Sequence, residues 1–318
     1  MSRRILEAQG LTKVYTNDRG NLLIACDNVD LVLYKGETLG IVGESGCGKS
    51  TLLKLITQLE RPNQGKLYME GKDVTGLKGE ALRRSRRHIQ MVFQDPSSSF
   101  FPRMKAGDAV SEPLRNFEKL TKKDIYNKVE ELLELVQLPK EYANRYPHSM
   151  SGGQRQRLGI ARALILEPDI LVCDEATCAL DVSVQKQIIE LLVDIQRKRE
   201  LSIIFVCHDL ALIQSFSHRV MVMYLGNVVE VLPGNKVKDS SYHPYTKALL
   251  DSIFTVDMDT SAPIRLLEGE APNAIDLPRG CPFHTRCPYK KAVCTKEKPK
   301  LRNIDENHQI ACHIIRND

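Results

Sequence analysis

The sequence predicts an α/β fold: a mostly parallel sheet with helices on both faces, an inserted helical subdomain and a small cysteine-containing C-terminal extension. Three observations predict it. Short apolar strands alternate with segments of helical period through the first two thirds of the chain. A glycine-rich run, Gly43 to Gly48, lies between one such strand and one such helix. Beyond about residue 236, apolar periodicity fades while proline, lysine and cysteine accumulate.

The elements follow in order. Residues 28–35 (NVDLVLYK) alternate apolar and polar like a half-buried strand. Thr38 to Val42 is an apolar run that enters the glycine-rich segment, and Lys49 to Leu59 has helical spacing. Residues 124–138 (DIYNKVEELLELVQL) form a helix by period, with Pro139 closing it. Ser151 to Leu166 is a helix that opens on a capping box, Ser151-x-x-Gln154, and ends at Pro168. Asp169 to Cys173 is a short buried strand that stops at two acids. Val182 to Arg199 is helical, Ser202 to Cys207 is a strand ending at His208-Asp209, and Val220 to Leu225 is a further strand. Residues from about 95 to 165 hold helices without clear strands and read as an insertion. The domain reading is therefore 1–235 for the core and 236–318 for the extension, with no internal repeat.

With 318 residues the chain is long enough to bury a large core and carry a smaller appendage. Hydrophobic residues make up 42% and charged residues 27%, an ordinary globular composition. The formal net charge of +5, from 45 basic and 40 acidic residues, is too small and scattered to indicate nucleic acid. The densest cluster, Arg83, Arg84, Arg86 and Arg87, reads as a solvated helix face. No run approaches the ~18 apolar residues of a membrane span, and the N-terminus lacks the apolar core of a signal peptide. The expectation is a chain on the cytoplasmic side; any membrane-spanning part would belong to other chains.

Gly43-Glu44-Ser45-Gly46-Cys47-Gly48-Lys49-Ser50 fits G-x-x-x-x-G-K-[ST] in the context the pattern demands. Glycines let the backbone curl so that several N–H groups point at one centre, and the following helix adds its positive dipole end. Lys49 is placed to meet the β- and γ-phosphates and Ser50 to ligate Mg²⁺. The core is thus a P-loop nucleotide-hydrolase fold. Ile170 to Asp174 is an apolar strand ending in an acid that suits the far side of the Mg²⁺, and Glu175 is placed to polarise an attacking water. His208 ends the next strand, where such sheets line the ligand crevice.

Ser151-Gly152-Gly153-Gln154 completes an ordered set of motifs, and the chain resembles the ABC ATPases. Met150 stands where that family usually has leucine. The resemblance implies a role for each matching residue. Tyr15 would stack on adenine. Gly43 to Ser50, with Thr51 beside them, would hold the phosphates. Gln94 would sense the γ-phosphate and Mg²⁺ and border the transporter contact. Asp174 would serve Mg²⁺, Glu175 would be the catalytic carboxylate, and His208 would contact the γ-phosphate. Cys178-Ala179-Leu180-Asp181 falls at the loop through which two such ATPases touch. Ser151 to Gln154 would complete the ATP site of a second ATPase subunit. Ala176 and Cys178 depart from the usual proline and serine; a thiol is the poorer donor, which weakens cross-dimer contacts.

Residues 92–104 (VFQDPSSSFFPRM) and Tyr242-His243-Pro244-Tyr245-Thr246 are similar to the ATPase subunits of oligopeptide, dipeptide and nickel importers. Such a subunit would work with a second ATPase and two transmembrane permeases, and indirectly with an extracytoplasmic binding protein. A peptide importer is the first reading and a nickel or metal-chelate importer the second. A soluble ABC protein acting on ribosomes or DNA would usually carry two ATPase units or long coiled coils, and neither is visible. A non-hydrolysing ATP sensor conflicts with the presence of both Glu175 and His208.

Nine cysteines are present, five spread through the core and four in the tail. Cys281-x5-Cys287-x6-Cys294-x17-Cys312 lacks the paired spacing of structural zinc and the common ferredoxin runs. Spacing alone leaves a metal site and four unrelated thiols both open. Residues 268–318 hold few large apolar side chains and need a staple to fold. The resemblance to peptide-importer ATPases implies a [4Fe–4S] cluster on these four cysteines; His284 and His313 keep a mixed Zn²⁺ site as the alternative.

Overall fold

The computed structural model describes residues 3–16, 20–95, 99–178, 180–252 and 277–314. They fall into two compact units. One is built on Tyr34–Glu37 and Leu77–Phe205, the other on Arg4–Leu33, Thr38–Gly76 and Val206–Asp318.

The chain begins in the second of these with β1 (Arg4–Thr16), β2 (Leu22–Tyr34), β3 (Thr38–Val42), α1 (Lys49–Ile56), β4 (Gln64–Met69) and β5 (Lys72–Asp73). Strands in the order β2-β1-β4-β5 make a four-stranded sheet. β1 and β4 run antiparallel with Leu6 opposite Met69 and Ala8 opposite Leu67, so one apolar face is buried. The half-buried strand read at 28–35 begins earlier, at Leu22, because β1 supplies a neighbour along its length.

The other unit follows: α2 (Gly79–Arg87), β6 (Ile89–Val92), α3 (Ala106–Phe117), α4 (Lys122–Leu135), α5 (Gly152–Leu164), β7 (Ile170–Asp174), α6 (Val182–Arg199) and β8 (Ser202–Val206). Strands β8-β7-β6 are neighbours, with β6 parallel to β7. All five residues of β8 are buried, as expected of a strand covered on both faces. The helices of the stretch read as an insertion are α3, α4 and α5, with α3 packed on both others. α4 turns Val129, Leu132 and Leu133 inward, a spacing that stacks side chains on one face. Thr121 caps its start by accepting the Asp124 N–H at 3.2 Å. The helix stops at Leu135, before Pro139, because Gln137 takes a left-handed turn with φ 59°. The Leu138 N–H then closes back on the Leu133 carbonyl at 2.7 Å.

The chain returns to the unit containing β3 with α7 (Leu210–Gln214), β9 (Arg219–Tyr224), β10 (Asn227–Pro233), α8 (Val237–Ser240), α9 (Pro244–Asp251), β11 (Arg302–Asp305) and β12 (His308–Ile310). Here the order is β11-β12-β10-β9-β3, with β3 and β9 parallel and the outer pairs antiparallel. The pairing of β12 with β10 joins residues on either side of the boundary read at 236. Fully buried Glu230 of β10 fixes this edge. Its carboxylate meets His308 Nε2 at 2.8 Å and accepts the N–H groups of Tyr242 at 2.8 Å and His243 at 3.2 Å. A buried carboxylate with three partners avoids the cost of an unpaired charge.

Candidate nucleotide site

The phosphate loop lies in the unit of β3. Val42 ends a strand with all five residues buried, and the chain turns through Gly43 to Gly48 into α1. Glycine is required at both ends of the turn. A Cβ on Gly43 would lie 2.2 Å from the Met223 carbonyl oxygen, and one on Gly48 would lie 2.1 Å from that of Ala25. Gly48 also has φ 102°, which disfavours any L side chain. Lys49 is 5% exposed, and its ammonium donates to the carbonyls of Gly43 at 2.7 Å and Glu44 at 3.0 Å. Ser50 is exposed in the first turn of α1, with Thr51 half-buried beside it.

Cys47 is buried with Sγ 3.8 Å from Lys49 Nζ. Burial raises its thiol pKa against the opposing pull of Lys49, so the group stays protonated and inert at neutral pH. Glu44 is held twice. Its N–H donates to the Tyr245 hydroxyl at 2.9 Å, and its carboxylate pairs with Arg286 at 2.8 and 3.1 Å. Ser45 and Gly46 are exposed at the loop's crest. Tyr15, near the end of β1, donates its hydroxyl to Glu60 at 2.6 Å, and Lys13 Nζ lies 5.1 Å from its ring centre. Burial, then the Glu60 contact, pushes its pKa up to about 12. His208 is exposed after the Cys207 turn, just ahead of Asp209, which caps α7 by accepting the Leu212 N–H at 3.0 Å.

The acidic elements lie in the unit of β7. Asp174 ends the strand half-buried, and Glu175 follows with φ 47°. A non-glycine residue in that region carries about 1–3 kcal/mol of strain, a cost typical of residues aimed by function. The Gln94 side-chain amide donates to the Glu175 carboxylate at 2.9 Å. Cys178 donates its N–H to the Glu175 carbonyl at 3.1 Å; Ala179 lies outside the described residues, as does Pro96 beyond Gln94.

Ser151 and Gln154 form the expected capping box at the start of α5. The Ser151 hydroxyl accepts the Gln154 N–H at 3.3 Å, and Gln154 Oε1 accepts the Ser151 N–H at 3.0 Å. Gly152 and Gly153 let α5 approach the residues after β7. A Cβ on Gly153 would lie 2.5 Å from Val184 Cγ1, and one on Gly152 3.4 Å from Leu180. Asp181 caps α6 by accepting the Val184 N–H at 3.0 Å and the Ser183 hydroxyl at 2.6 Å. Bonds from Ser183 and the Val184 N–H hold its carboxyl below the usual range.

Within the tail, Cys281, Cys294 and Cys312 are buried and Cys287 is half-buried. The Cys281 N–H donates to the Cys294 carbonyl at 2.8 Å, tying the first and third together. Burial pushes the Cys281 thiol up to about 11, and the charges of Cys294, Cys312 and Cys287 would add to that rise. Burial likewise raises Cys287, with Cys312 and Cys294 contributing. His284 and His313 each use one ring nitrogen on a backbone carbonyl, of Cys281 and Glu297 respectively, both at 2.9 Å. Residues 268–276 of the tail lie outside the described residues.

Sequence reasoning missed three supports. Arg286 on Glu44 has no sequence signal, being one basic residue among 45. Tyr245 belongs to a recognisable motif, but nothing in that motif points to its bond with the phosphate loop. Glu230 with His308 joins residues 78 positions apart.

A strand, a glycine turn and a helix N-terminus around a buried lysine are the phosphate-binding half of a P-loop ATPase, and the acids that end β7 match the other motif such an enzyme needs. Comparison with known proteins places it more closely. Residues 26–178 match the ABC transporter family model, and residues 229–294 match that of the oligopeptide/dipeptide transporter C-terminal region. The chain is 47% identical to the oligopeptide transport ATP-binding protein OppF of Salmonella typhimurium, over 91% of this chain and 87% of that protein. It is 42% identical to the di/tripeptide transport ATP-binding protein DppF of Pseudomonas aeruginosa, over 97% of each. Among solved structures, a dimeric ATP-binding cassette in a post-hydrolysis state with ADP and Pi superposes with a TM-score of 0.66 at 30% identity. That match covers 72% of this chain and 98% of the cassette. The chain belongs to the ATP-binding proteins of the ABC transporter family. No helix among the described residues is long and apolar enough to cross a membrane.

Proposed function

We propose that this chain hydrolyses ATP to energise import of oligopeptides or dipeptides, as one of two ATPase subunits on the cytoplasmic face of two permeases. The single observation that carries the cargo class is the match of residues 229–294 to the peptide-transporter C-terminal region, beside relatives named for oligopeptide and di/tripeptide transport. An extracytoplasmic binding protein would deliver the peptide. Residues 1–235 carry the ATPase, with the helical subdomain at about 95–165, and 236–318 form the extension.

In this reading Gly43 to Thr51 cradle the phosphates, Lys49 meets the β- and γ-phosphates, and Tyr15 stacks on adenine. By the family pattern a divalent ion would be held by hard oxygens of the Ser50 hydroxyl, the Asp174 carboxylate and the side-chain carbonyl of Gln94. Such a set suits Mg²⁺. Bound there, Mg²⁺ would neutralise phosphate charge. Glu175 takes the proton of the attacking water, Gln94 orients that carboxylate, and His208 contacts the γ-phosphate. Ser151 to Gln154 and Asp181 serve the ATP site of the other ATPase, with Cys178 a weaker donor there than serine.

The four tail cysteines hold a [4Fe–4S] cluster in this reading. Supporting it, a backbone hydrogen bond joins Cys281 to Cys294; among the described residues no three tail ligand atoms lie within 4.8 Å of one another. A tetrahedral Zn²⁺ with bonds of ~2.3 Å would bring its sulfurs to ~3.8 Å. The cluster would supply a structural cross-link. Reconstitution with the permeases and the binding protein tests the transport reading. ATP-dependent uptake of short peptides is expected; uptake of a nickel chelate in place of peptides would replace the cargo.

A further inference from the structure

We infer that Arg286, in the C-terminal extension, is a positioning residue for triphosphate binding: it neutralises Glu44 and turns that carboxylate away from the phosphates. The inference rests on the reading that Gly43 to Ser50 receives the phosphates of ATP. A loop that binds a polyanion is a costly place for a negative side chain, since like charges a few ångströms apart repel strongly where water is scarce. Glu44 is the second residue of that loop.

Its carboxylate is fully engaged. Arg286 Nη1 donates to Oε2 at 2.8 Å and Nη2 to Oε1 at 3.1 Å. This two-pronged pairing fixes direction as well as charge, which a lysine ammonium would not do. The Arg286 side chain is 6% exposed and that of Glu44 29%, so the pair is poorly screened by salt. The Tyr224 hydroxyl lies 3.5 Å from Arg286 Nη1 and steadies the guanidinium from the core side.

The main chain of the same residue is held by the same part of the molecule. Tyr245, fully buried, accepts the Glu44 N–H at 2.9 Å and packs on Tyr224 and Phe283 with ring centres 4.6 and 5.4 Å away. Side chain and backbone of Glu44 are thus both fixed by residues more than 200 positions later, 242 for Arg286 and 201 for Tyr245. The extension braces the phosphate loop and cancels its one carboxylate.

A double-mutant cycle on the full-length protein tests this, reading the dissociation constants of MgATP and MgADP with a fluorescent nucleotide. R286M should weaken ATP binding roughly five- to twentyfold, and ADP binding less, because the unpaired carboxylate repels the more charged ligand more. In the E44Q background the same arginine exchange should change affinity by less than about twofold. R286K should recover part of the loss. An equal loss in both backgrounds would mean that Arg286 only holds the fold, and no loss in R286M would mean the pair is idle; either overturns the inference. If R286M fails to fold by circular dichroism, R286Q and R286K carry the same comparison. K49A separates the two readings: undiminished ATP binding in K49A removes the phosphate-loop reading, whereas lost binding there with R286M unaffected removes only the inference about Arg286.

Discussion

Gln94 and Glu175, separated by 81 positions, meet through a side-chain hydrogen bond of 2.9 Å. One follows β6 and the other follows β7, and these strands are parallel neighbours, Val92 facing Cys173. The sheet register therefore sets the pair: two adjacent strands end together and each delivers one polar side chain. The left-handed backbone at Glu175, φ 47°, turns its carboxylate out of the strand direction at the point where the pairing ends.

Replacing Glu175 by glutamine keeps the shape and an oxygen for Gln94 but removes the proton acceptor. Phosphate release should fall by roughly 10²–10⁴-fold, with ATP affinity within a few-fold of wild type and an ATP-bound dimer accumulating. Turnover within twofold of wild type would refute the general-base role.

A second expectation concerns packing at the start of α5. The Cβ introduced by G153A would sit 2.5 Å from Val184 Cγ1, in a contact that a rotation of the Val184 side chain or a shift of α5 or α6 must relieve. The variant should lose about 1–3 kcal/mol of stability, the range found for overpacked sites. V184A should restore most of that loss, because it removes the colliding methyl. Thermal melts of the single and double variants decide it; a G153A melt equal to wild type would mean that the two helices are not in close contact.

Much of this is legible in the sequence, and the divide is one of range. The phosphate loop and the capping box at Ser151 and Gln154 are local patterns, each spanning fewer than ten residues. α6 is readable at both ends, since its period continues from Val182 to Arg199. The pattern places the end of α4 three residues too late, because Pro139 is a visible stop signal whereas the left-handed turn at Gln137 has none. The pairing of β1 with β4 escapes a sequence reading, because it joins residues some sixty apart, as Leu6 with Met69. Arg286 on Glu44 is the extreme case: the charge complement is obvious once seen, but any of many cations would have served on paper.

The buried edge around Glu230 predicts acid sensitivity. His243 caps α9 by accepting the Tyr245 N–H on Nδ1 at 3.1 Å, which requires that nitrogen to be unprotonated. Burial depresses its pKa from the usual 6.5 to about 4. The unfolded chain then binds a proton below pH 6.5 that the folded chain refuses until about pH 4. Stability is full above 6.5 and declines as pH falls through this window, by on the order of 3 kcal/mol. Glu230 acts in the same direction at lower pH. Burial works to raise it, but the bonds with His308 and the Tyr242 N–H help to outweigh that, and its pKa is held below the usual carboxylate range. H243N retains a capping acceptor without the titration, so its melting temperature should vary less between pH 7 and 4.5 than that of wild type. An unchanged pH dependence in H243N would show that His243 is not the group responsible.

The tail provides a further expectation. Cys281, Cys294 and Cys312 are buried and Cys287 half-buried, yet the buried Phe283 of the segment packs on Tyr224 and Tyr245 outside it. Burial pushes the Cys281 thiol up to about 11, which disfavours the thiolate, and metal ligation would act against that by stabilising the deprotonated sulfur. A cross-link through four sulfurs would hold Arg286, between Cys281 and Cys287, in its place on Glu44. Protein purified without oxygen should be brown, with about four iron and four sulfide per chain. Serine at any one of the four positions should abolish the colour and open the tail to proteolysis. Elemental analysis discriminates the alternatives: one zinc and no iron would replace the cluster with a zinc site. Metal-free protein with a protease-resistant tail would mean that the four thiols fold without a ligand and that the cluster reading is wrong.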